Sequence, residues 1–379
     1  MKALLPLALV LVLTGCATLQ PLPPAAAIDD TARRLMQQGK VNGMALAVID
    51  NGQIVHTAAY GSRNVEKQLP LTNSTIMYGA SLTKAAFAYM LLQLVDEGLL
   101  DLDAPLTRLL PQPLPAYKDY ADLASDERWK KLTPRILLTH TTGFANFRWL
   151  EADQKLRFHV EPGQRYGYSG EGFYLLQLIV ESGLGLDAGK EMQRRVFDRF
   201  GMVNTSMTWR ADFAANLADG YTIDGKFAAH DKRSRVRAAG SMDTSIADQA
   251  RLWAGIVRGD GLSKTSRAEL VRAQVPIAVA RQFPTLSDKT DARNAAIALA
   301  AGLGVVTFQD ATGPAWFKGG HNDSTGNMVV CLETKQRCVV MLANDVRAEK
   351  IYPELLRALL GPNAMPWYWE YGDPEPAPK

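Results

Sequence analysis

Three short stretches carry side chains that could act on a bond: "SLTK" at Ser81 to Lys84, "YSG" at Tyr168 to Gly170, and "KGG" at Lys318 to Gly320. A serine and a lysine three positions apart share one face of a helix, so the Ser81 hydroxyl and the Lys84 amine are set to meet. At a helix N-terminus, the dipole and free N–H groups favour developing negative charge. The run "LTKAAFAYMLLQL" from Leu82 to Leu94 is apolar nearly all round. An apolar setting disfavours the ammonium form of lysine and lowers its pKa. A neutral Lys84 could take the Ser81 proton and make the hydroxyl a nucleophile. The same residues also fit a capping serine beside a snorkelling lysine, and the local stretch does not choose between the two.

Tyr168 follows a Pro-Gly turn and precedes the apolar run "GFYLLQLIVESG". It could accept a proton only if cations such as Lys84 and Lys318 depress its pKa; otherwise it is a packing tyrosine. Lys318 ends the aromatic strand "PAWFKGG". The paired Gly319 and Gly320 suggest close backbone approach by a ligand, with Lys318 facing Tyr168 or an anionic substrate group. The alternative is a lysine guarding an edge strand. His140 in "THTTG" reads as structural. Ser169 fails as a rival nucleophile, because Glu171 stands where a G-x-S-x-G elbow needs its last glycine. None of the five histidines lies in an H-E-x-x-H pattern, so neither a metal site nor another cofactor is expected.

The elements around these stretches read as follows. Asp29 or Asp30 caps a helix through Gln38, ended by Gly39. "GMALAVID" and "QIVHTAAYG" flank Asn51-Gly52, a strong hairpin signal. The helix after Ser81 runs to about Glu97 and stops at Gly98. "DTSIADQARLWAGIVRG" is a capped helix, "PAWFKGG", "NMVVCLE" and "CVVMLA" form a meander, and "DVRAEKIYPELLRALLG" holds a final helix. Two strands at one end and three at the other are each too few to stand alone. Together they make a five-stranded antiparallel sheet with the terminal helices on one face, an α/β (α+β) fold. The sheet region is 29–103 and 245–365, interrupted by a helical insertion at 104–244 and followed by a tail at 366–379. Cys331 and Cys338 face each other if Thr334 and Lys335 form the hairpin tip, within reach of a disulfide; two buried thiols are the alternative.

The chain has 379 residues, 47% hydrophobic and 21% charged, with a net charge of +3. That composition is globular, and with no basic run it gives no ground for a nucleic-acid partner. Residues 1–15 read as a signal peptide: Lys2 precedes an apolar run far short of the ~20 residues of a spanning helix. "LTGC" resembles a bacterial lipobox, which implies a lipoprotein signal peptide and lipidation at Cys16, with 16–28 as a Pro/Ala tether. Ala17 after the cysteine resembles lipoproteins sorted to the outer membrane. The expectation is a cell-envelope protein facing the periplasm and meeting the membrane through its lipid anchor; ordinary secretion is the alternative.

The three motifs in this order, with "ILLTHTTGF", "PGQRYGYSGEGFYLLQLIVE", "RVFDRFGMVNTSMTW" and "VVMLAND", resemble the family of class C serine β-lactamases, low-molecular-weight penicillin-binding proteins and related serine esterases. The resemblance covers nearly all of the mature chain and implies a β-lactamase/transpeptidase-like fold. It implies Ser81 as the nucleophile of an acyl-enzyme, Lys84 as its base, Tyr168 as proton shuttle and Lys318 beside it. The backbone N–H groups of Ser81 and His321 would form the oxyanion hole, and Gly170, Gly319 and Gly320 would line the substrate pocket. Gly170 stands where the family has an Asn that contacts substrate, which ranks an ester or a cell-wall D-amino-acid peptide above a β-lactam as substrate. The alternative function is a non-catalytic sensor binding peptidoglycan or β-lactams in the same pocket.

Overall fold

The computed structural model describes residues 19–373; the leader, Cys16 and residues 374–379 lie outside them. The strand Gly43–Asp50 (β1) is buried at every residue but its last. Its side chains alternate: Met44, Leu46 and Val48 enter one core, and Ala45, Ala47 and Ile49 the other. A strand buried on both faces must lie between two layers. The hairpin to Gln53–Asn64 (β2) turns on Asn51 and Gly52, both at positive φ (51° and 70°), as a two-residue turn requires.

The remaining strands of the sheet are Leu69–Pro70 (β3), Val275–Pro276 (β4), Ala300–Ala301 (β5), Val306–Asp310 (β6), Gly313–Asn322 (β7), Thr325–Leu332 (β8) and Arg337–Ala343 (β9). They form nine antiparallel strands in the order β3-β2-β1-β9-β8-β7-β6-β5-β4. The five expected strands are the central ones. The four extra strands correct the expected count: three are two-residue pieces too short to carry a period, and the fourth is the five-residue β6, flanked by Gly304 and Gly313. Lys318 pairs with Val329 of β8, and β6 reaches only to Phe317, so the other edge of β7 is open there; the side chain is buried, so it is not an edge-strand guard facing solvent.

The helices Ala25–Gly39 (α1) and Tyr352–Leu360 (α5) cover one face, through Ile28, Leu35, Leu355 and Leu359. The helices Leu82–Asp96 (α2) and Ile246–Arg258 (α4) cover the other, through Phe87, Leu91, Leu252 and Trp253. No helix among the described residues is long and apolar enough to cross a membrane.

Several boundaries differ from expectation. Helix α1 starts at Ala25 with Pro24 before it, not at Asp29 or Asp30. Asp29 instead accepts hydrogen bonds from Tyr60 Oη (2.7 Å) and His56 Nε2 (2.9 Å), which tie the helix to β2. Residues 19–28 belong to the fold rather than to a tether: Leu19 and Leu22 pack on the core, and Arg337 Nη1 donates to Gln20 O at 2.7 Å. The insertion 104–244 is not all-helical. It mixes short helices and 3-10 turns with a hairpin of Gly220–Tyr221 and Phe227–Ala228, and Asp243–Thr244 pairs with Met77–Tyr78. The tail expected from 366 instead begins with the buried helix Trp367–Glu370.

Cys331 pairs with Cys338 across β8 and β9, and the two form a disulfide with Cα atoms 4.1 Å apart. Peptide mapping without reductant should recover this linkage. The enclosed loop is short, so replacing both cysteines by serine-sized residues such as alanine should lower unfolding stability by less than about 3 kcal/mol in urea titration. Two alkylatable thiols in native protein would contradict the pairing.

Candidate active site

Ser81 is the first residue of the α2 entry, yet its side chain makes no capping hydrogen bond. The turn before it is held from outside: Gly79 N–H donates to Met242 O (2.8 Å), and Met242 N–H donates to Thr83 Oγ1 (3.2 Å). Thr83 Oγ1 donates to Ala80 O at 2.6 Å. Ala80 takes a left-handed φ of 46°, a conformation that costs a non-glycine residue ~1–2 kcal/mol and persists only where neighbours impose it. The result leaves Ser81 Oγ free of the helix and 3.1 Å from Lys84 Nζ. The Ser81 N–H makes no backbone hydrogen bond among the described residues.

Lys84 is 1% exposed and makes no salt bridge among the described residues. Nζ donates to Ala239 O at 2.5 Å, which fixes its direction. Burial, aided by the nearby Lys318 charge, holds its pKa well below the usual lysine value. The snorkelling alternative fails on geometry, because the amine ends inside the protein.

Tyr168 stands between the two amines, with Lys84 Nζ and Lys318 Nζ 5.0 and 5.1 Å from its ring centroid and Lys318 Nζ 3.5 Å from its hydroxyl. Its pKa is nevertheless raised, chiefly by burial, against a hydrogen bond with Ser81 that lowers it. This corrects the expectation of a phenol depressed by cations: desolvation outweighs them, and Tyr168 is a neutral phenol at neutral pH. His140 is structural as expected. It stacks on Tyr168 at 4.3 Å, and its Nδ1 accepts from Ser169 N–H at 3.1 Å. Burial, with Lys84 and Lys318 beside it, keeps its pKa well below 6.5. Ser169 is fully buried and caps the helix Gly170–Leu178 (α3), so it is no nucleophile.

Strand β7 supplies the opposite wall. A Cβ at Gly320 would lie 3.0 Å from Ser81 N and 2.9 Å from Leu82 N, so only glycine lets the strand approach Ser81 this closely. Lys318 Nζ donates to Gly319 O at 2.6 Å. Residues two apart in a strand send their N–H and C=O groups to the same edge, which turns the His321 N–H to the edge of the Gly319 carbonyl. Burial disfavours charge on the His321 ring, but the Glu349 carboxylate 3.2 Å from Nδ1 wins and raises its pKa above 6.5. Burial lowers the pKa of Lys318 and raises that of Glu370, two buried groups that share this wall.

A cavity of about 130 Å³ joins Ser81, Lys84, Tyr168, Lys318, Gly319, Gly320 and His321. The same cavity is lined by Asn146, Phe147, Gln282, Phe283 and Glu370, which sequence reasoning missed. They lie in loops and a terminal segment without a motif; only the aromatic run "WYWE" at Trp367 to Glu370 hinted that the C-terminus packs. Gly170, expected in the pocket, is not part of its lining. A Cβ at Gly170 would meet Phe147 Cε1 at 2.1 Å, so the ring occupies the space a side chain at 170 would need. Phe147 is held there by stacking on Trp149 at 4.1 Å. The next residue, Arg148, donates its N–H (2.9 Å) and Nη2 (2.6 Å) to the buried Glu171 of α3. Among the described residues no cluster of histidine, cysteine and carboxylate side chains could hold a metal ion.

Gly170→Asn should therefore cost about 1–3 kcal/mol of stability by overpacking, read from the urea midpoint. Adding Phe147→Ala should recover part of that loss, giving a coupling between the two sites. Additive effects would mean that the ring does not set the side chain allowed at 170.

The chain is similar to a lovastatin esterase of Penicillium rubens, 28% identical over 51% of this chain and 56% of that one. It is also similar to a D-aminopeptidase of Gluconobacter oxydans, 26% identical over 42% of this chain and 31% of that one. The chain thus spans about half the length, or less, of these curated relatives. In fold it is similar to the octameric penicillin-binding protein homologue from Pyrococcus abyssi, with a TM-score of 0.70 at 18% identity over 89% of this chain and 78% of that one. The family model described as Beta-lactamase matches residues 28–360, nearly the whole described fold together with all three motifs, and the chain belongs to that family.

Proposed function

We propose that this protein is a serine hydrolase that cleaves an ester or amide through an acyl-enzyme on Ser81. The observation that carries this reading is the buried Lys84 amine 3.1 Å from the Ser81 hydroxyl, at the floor of a cavity. Ser81 Oγ attacks the carbonyl carbon while Lys84 takes its proton. The oxyanion is met by the N–H groups of Ser81 and His321, each such donor being worth ~2.7–4 kcal/mol in the transition state. The neutral Tyr168 phenol gives a proton to the leaving alkoxide or amine and regains one from Lys84. Water then attacks the acyl-enzyme by the reverse relay, releasing the acid and restoring Ser81. Lys318 beside Tyr168 adds positive charge where the oxygen atoms gain electron density.

An ester or a D-amino-acid peptide ranks above a β-lactam. The Phe147 ring makes an apolar wall where a polar side chain at 170 would otherwise meet substrate, and the relatives include an esterase and a D-aminopeptidase by name. The N-terminal pattern further supports export with a lipid anchor on Cys16, placing the enzyme in the bacterial envelope.

A fluorophosphonate should add to Ser81, seen by intact mass, and Ser81→Ala should abolish the adduct. Lys84→Ala should slow labelling by about 100-fold or more while circular dichroism is unchanged. Labelling should fall as the pH is lowered, because protonated Lys84 cannot take the Ser81 proton. Reversible ligand binding without an adduct would favour a sensor and overturn the hydrolase reading. Separately, expressed protein should incorporate fatty acid and sediment with membranes, and Cys16→Ser should abolish both; a soluble, unlabelled wild type would refute the lipid anchor.

A further inference from the structure

We infer that Glu370 sets the substrate class of this cleft: beside its reacting carbonyl the substrate carries an ammonium or another hydrogen-bond donor, and not a carboxylate. The inference rests on the serine-hydrolase reading of Ser81. It starts from the helix Trp367–Glu370 (α6), whose Trp369 is fully buried against Phe317 and Tyr166, with ring centroids 6.1 and 5.6 Å away. Trp369 Nε1 donates to Val279 O at 3.1 Å, so the next residue has a defined position.

Glu370 is oriented as well as placed. Tyr166 Oη donates to Gln282 Oε1 (3.0 Å), and Gln282 Nε2 donates to Glu370 Oε2 (2.9 Å). One carboxylate oxygen is thereby committed to the protein. The other, Oε1, accepts no hydrogen bond from the described residues and is not sealed from solvent. It lies so close to β7 that a Cβ at Gly319 would sit 2.1 Å from it, which gives Gly319 a role distinct from that of Gly320. A carboxylate with one oxygen tied back and one open, in the cavity that holds Ser81, is built to accept.

Burial raises the Glu370 pKa to about 7 and the Lys318 and His321 charges oppose that rise, so the carboxylate form prevails above neutral pH, and neither cation covers Oε1. Lys318 makes no ion pair with Glu370 within 4.0 Å; its amine is turned to Gly319 O and Tyr168 Oη. The His321 ring is paired with Glu349. Arg281 and Lys350 line an outer pocket of about 400 Å³, which meets the inner cavity at Phe283, His321 and Glu370. A substrate carboxylate beside the reacting carbonyl would share this cavity with the ionised Glu370, a like-charge contact that specific sites use to reject ligands. An ammonium there would gain a charge-assisted hydrogen bond.

The test, at pH 7.5 where Glu370 is mostly ionised, is protection of Ser81 from a fluorophosphonate by D-alanine methyl ester, N-acetyl-D-alanine methyl ester and the monomethyl ester of methylmalonic acid. These place an ammonium, a neutral amide and a carboxylate on the carbon next to the ester carbonyl. In wild-type protein the free amine should protect at a concentration about tenfold or more below that of the malonate ester. Glu370→Gln, which keeps the Gln282 contact, should bring the two concentrations to within about threefold. The ratio is taken within one protein, so a uniform change in Ser81 reactivity cancels. Equal protection by all three esters in wild type, better protection by the malonate ester, protection by none, or a ratio unchanged in Glu370→Gln would each overturn the inference. No labelling of wild-type Ser81 in the absence of competitor would instead refute the hydrolase reading itself.

Discussion

The removal of one amine from water governs the rest of this site. Lys84 lies in a helix buried on every side from Leu82 to Leu94. An unpaired ammonium there is far more costly than a neutral amine. A carboxylate partner would restore the charge and cancel the effect, and none among the described residues pairs with Lys84. The structure supplies a carbonyl, Ala239 O, which accepts from the amine without favouring its charge as a carboxylate would. Lys318 pushes in the same direction by repulsion. The low-dielectric pocket that keeps Lys84 neutral also keeps Tyr168 protonated, so a single cause sets both protonation states in opposite chemical senses: one group ready to accept a proton, the other to give one.

The walls of the cleft come from parts of the chain that are far apart in sequence and individually unremarkable. Phe147 would be an ordinary exposed aromatic residue without the Arg148–Glu171 pair that fixes its loop against α3. With the loop fixed, its ring requires glycine at 170. The glycine at 170 and the Phe147 ring therefore fit each other in space. Phe147 makes this part of the cavity wall apolar.

The C-terminal segment completes the opposite wall. Its composition, polar and proline-rich after Tyr371, reads as a tail, but Trp369 is buried and carries Glu370 into the cavity. Burial of one tryptophan is enough to hold a short helix that has little stability alone. Lys318 and Glu370 then share a wall with opposite charges that are close enough to influence each other and too far apart to form a contact ion pair. The Lys318 amine is turned to Gly319 O and Tyr168 Oη, which leaves Glu370 Oε1 as the open group of this wall.

The meeting of Ser81 and Lys84 was legible in the sequence because both sit at a fixed offset within one helix, whereas Tyr168 and Lys318 were singled out by their own motifs. Helical spacing brings Ser81 to Lys84, and paired glycines after a strand announce the close approach of β7. The central five strands, the Asn51-Gly52 turn and the facing cysteines were legible for the same reason: local periodicity and turn chemistry act over a few residues. Asn146, Phe147, Gln282 and Glu370 were not legible, and neither were the edge strands, whose two-residue lengths carry no period. Nor could the sequence decide the protonation of Tyr168, which depends on the balance between two nearby amines and complete burial. The sequence by itself determined which chemical groups are present and which are locally paired. Tertiary structure decided which walls enclose them, because desolvation and contact across hundreds of residues depend on how distant segments pack and not on any spacing along the chain.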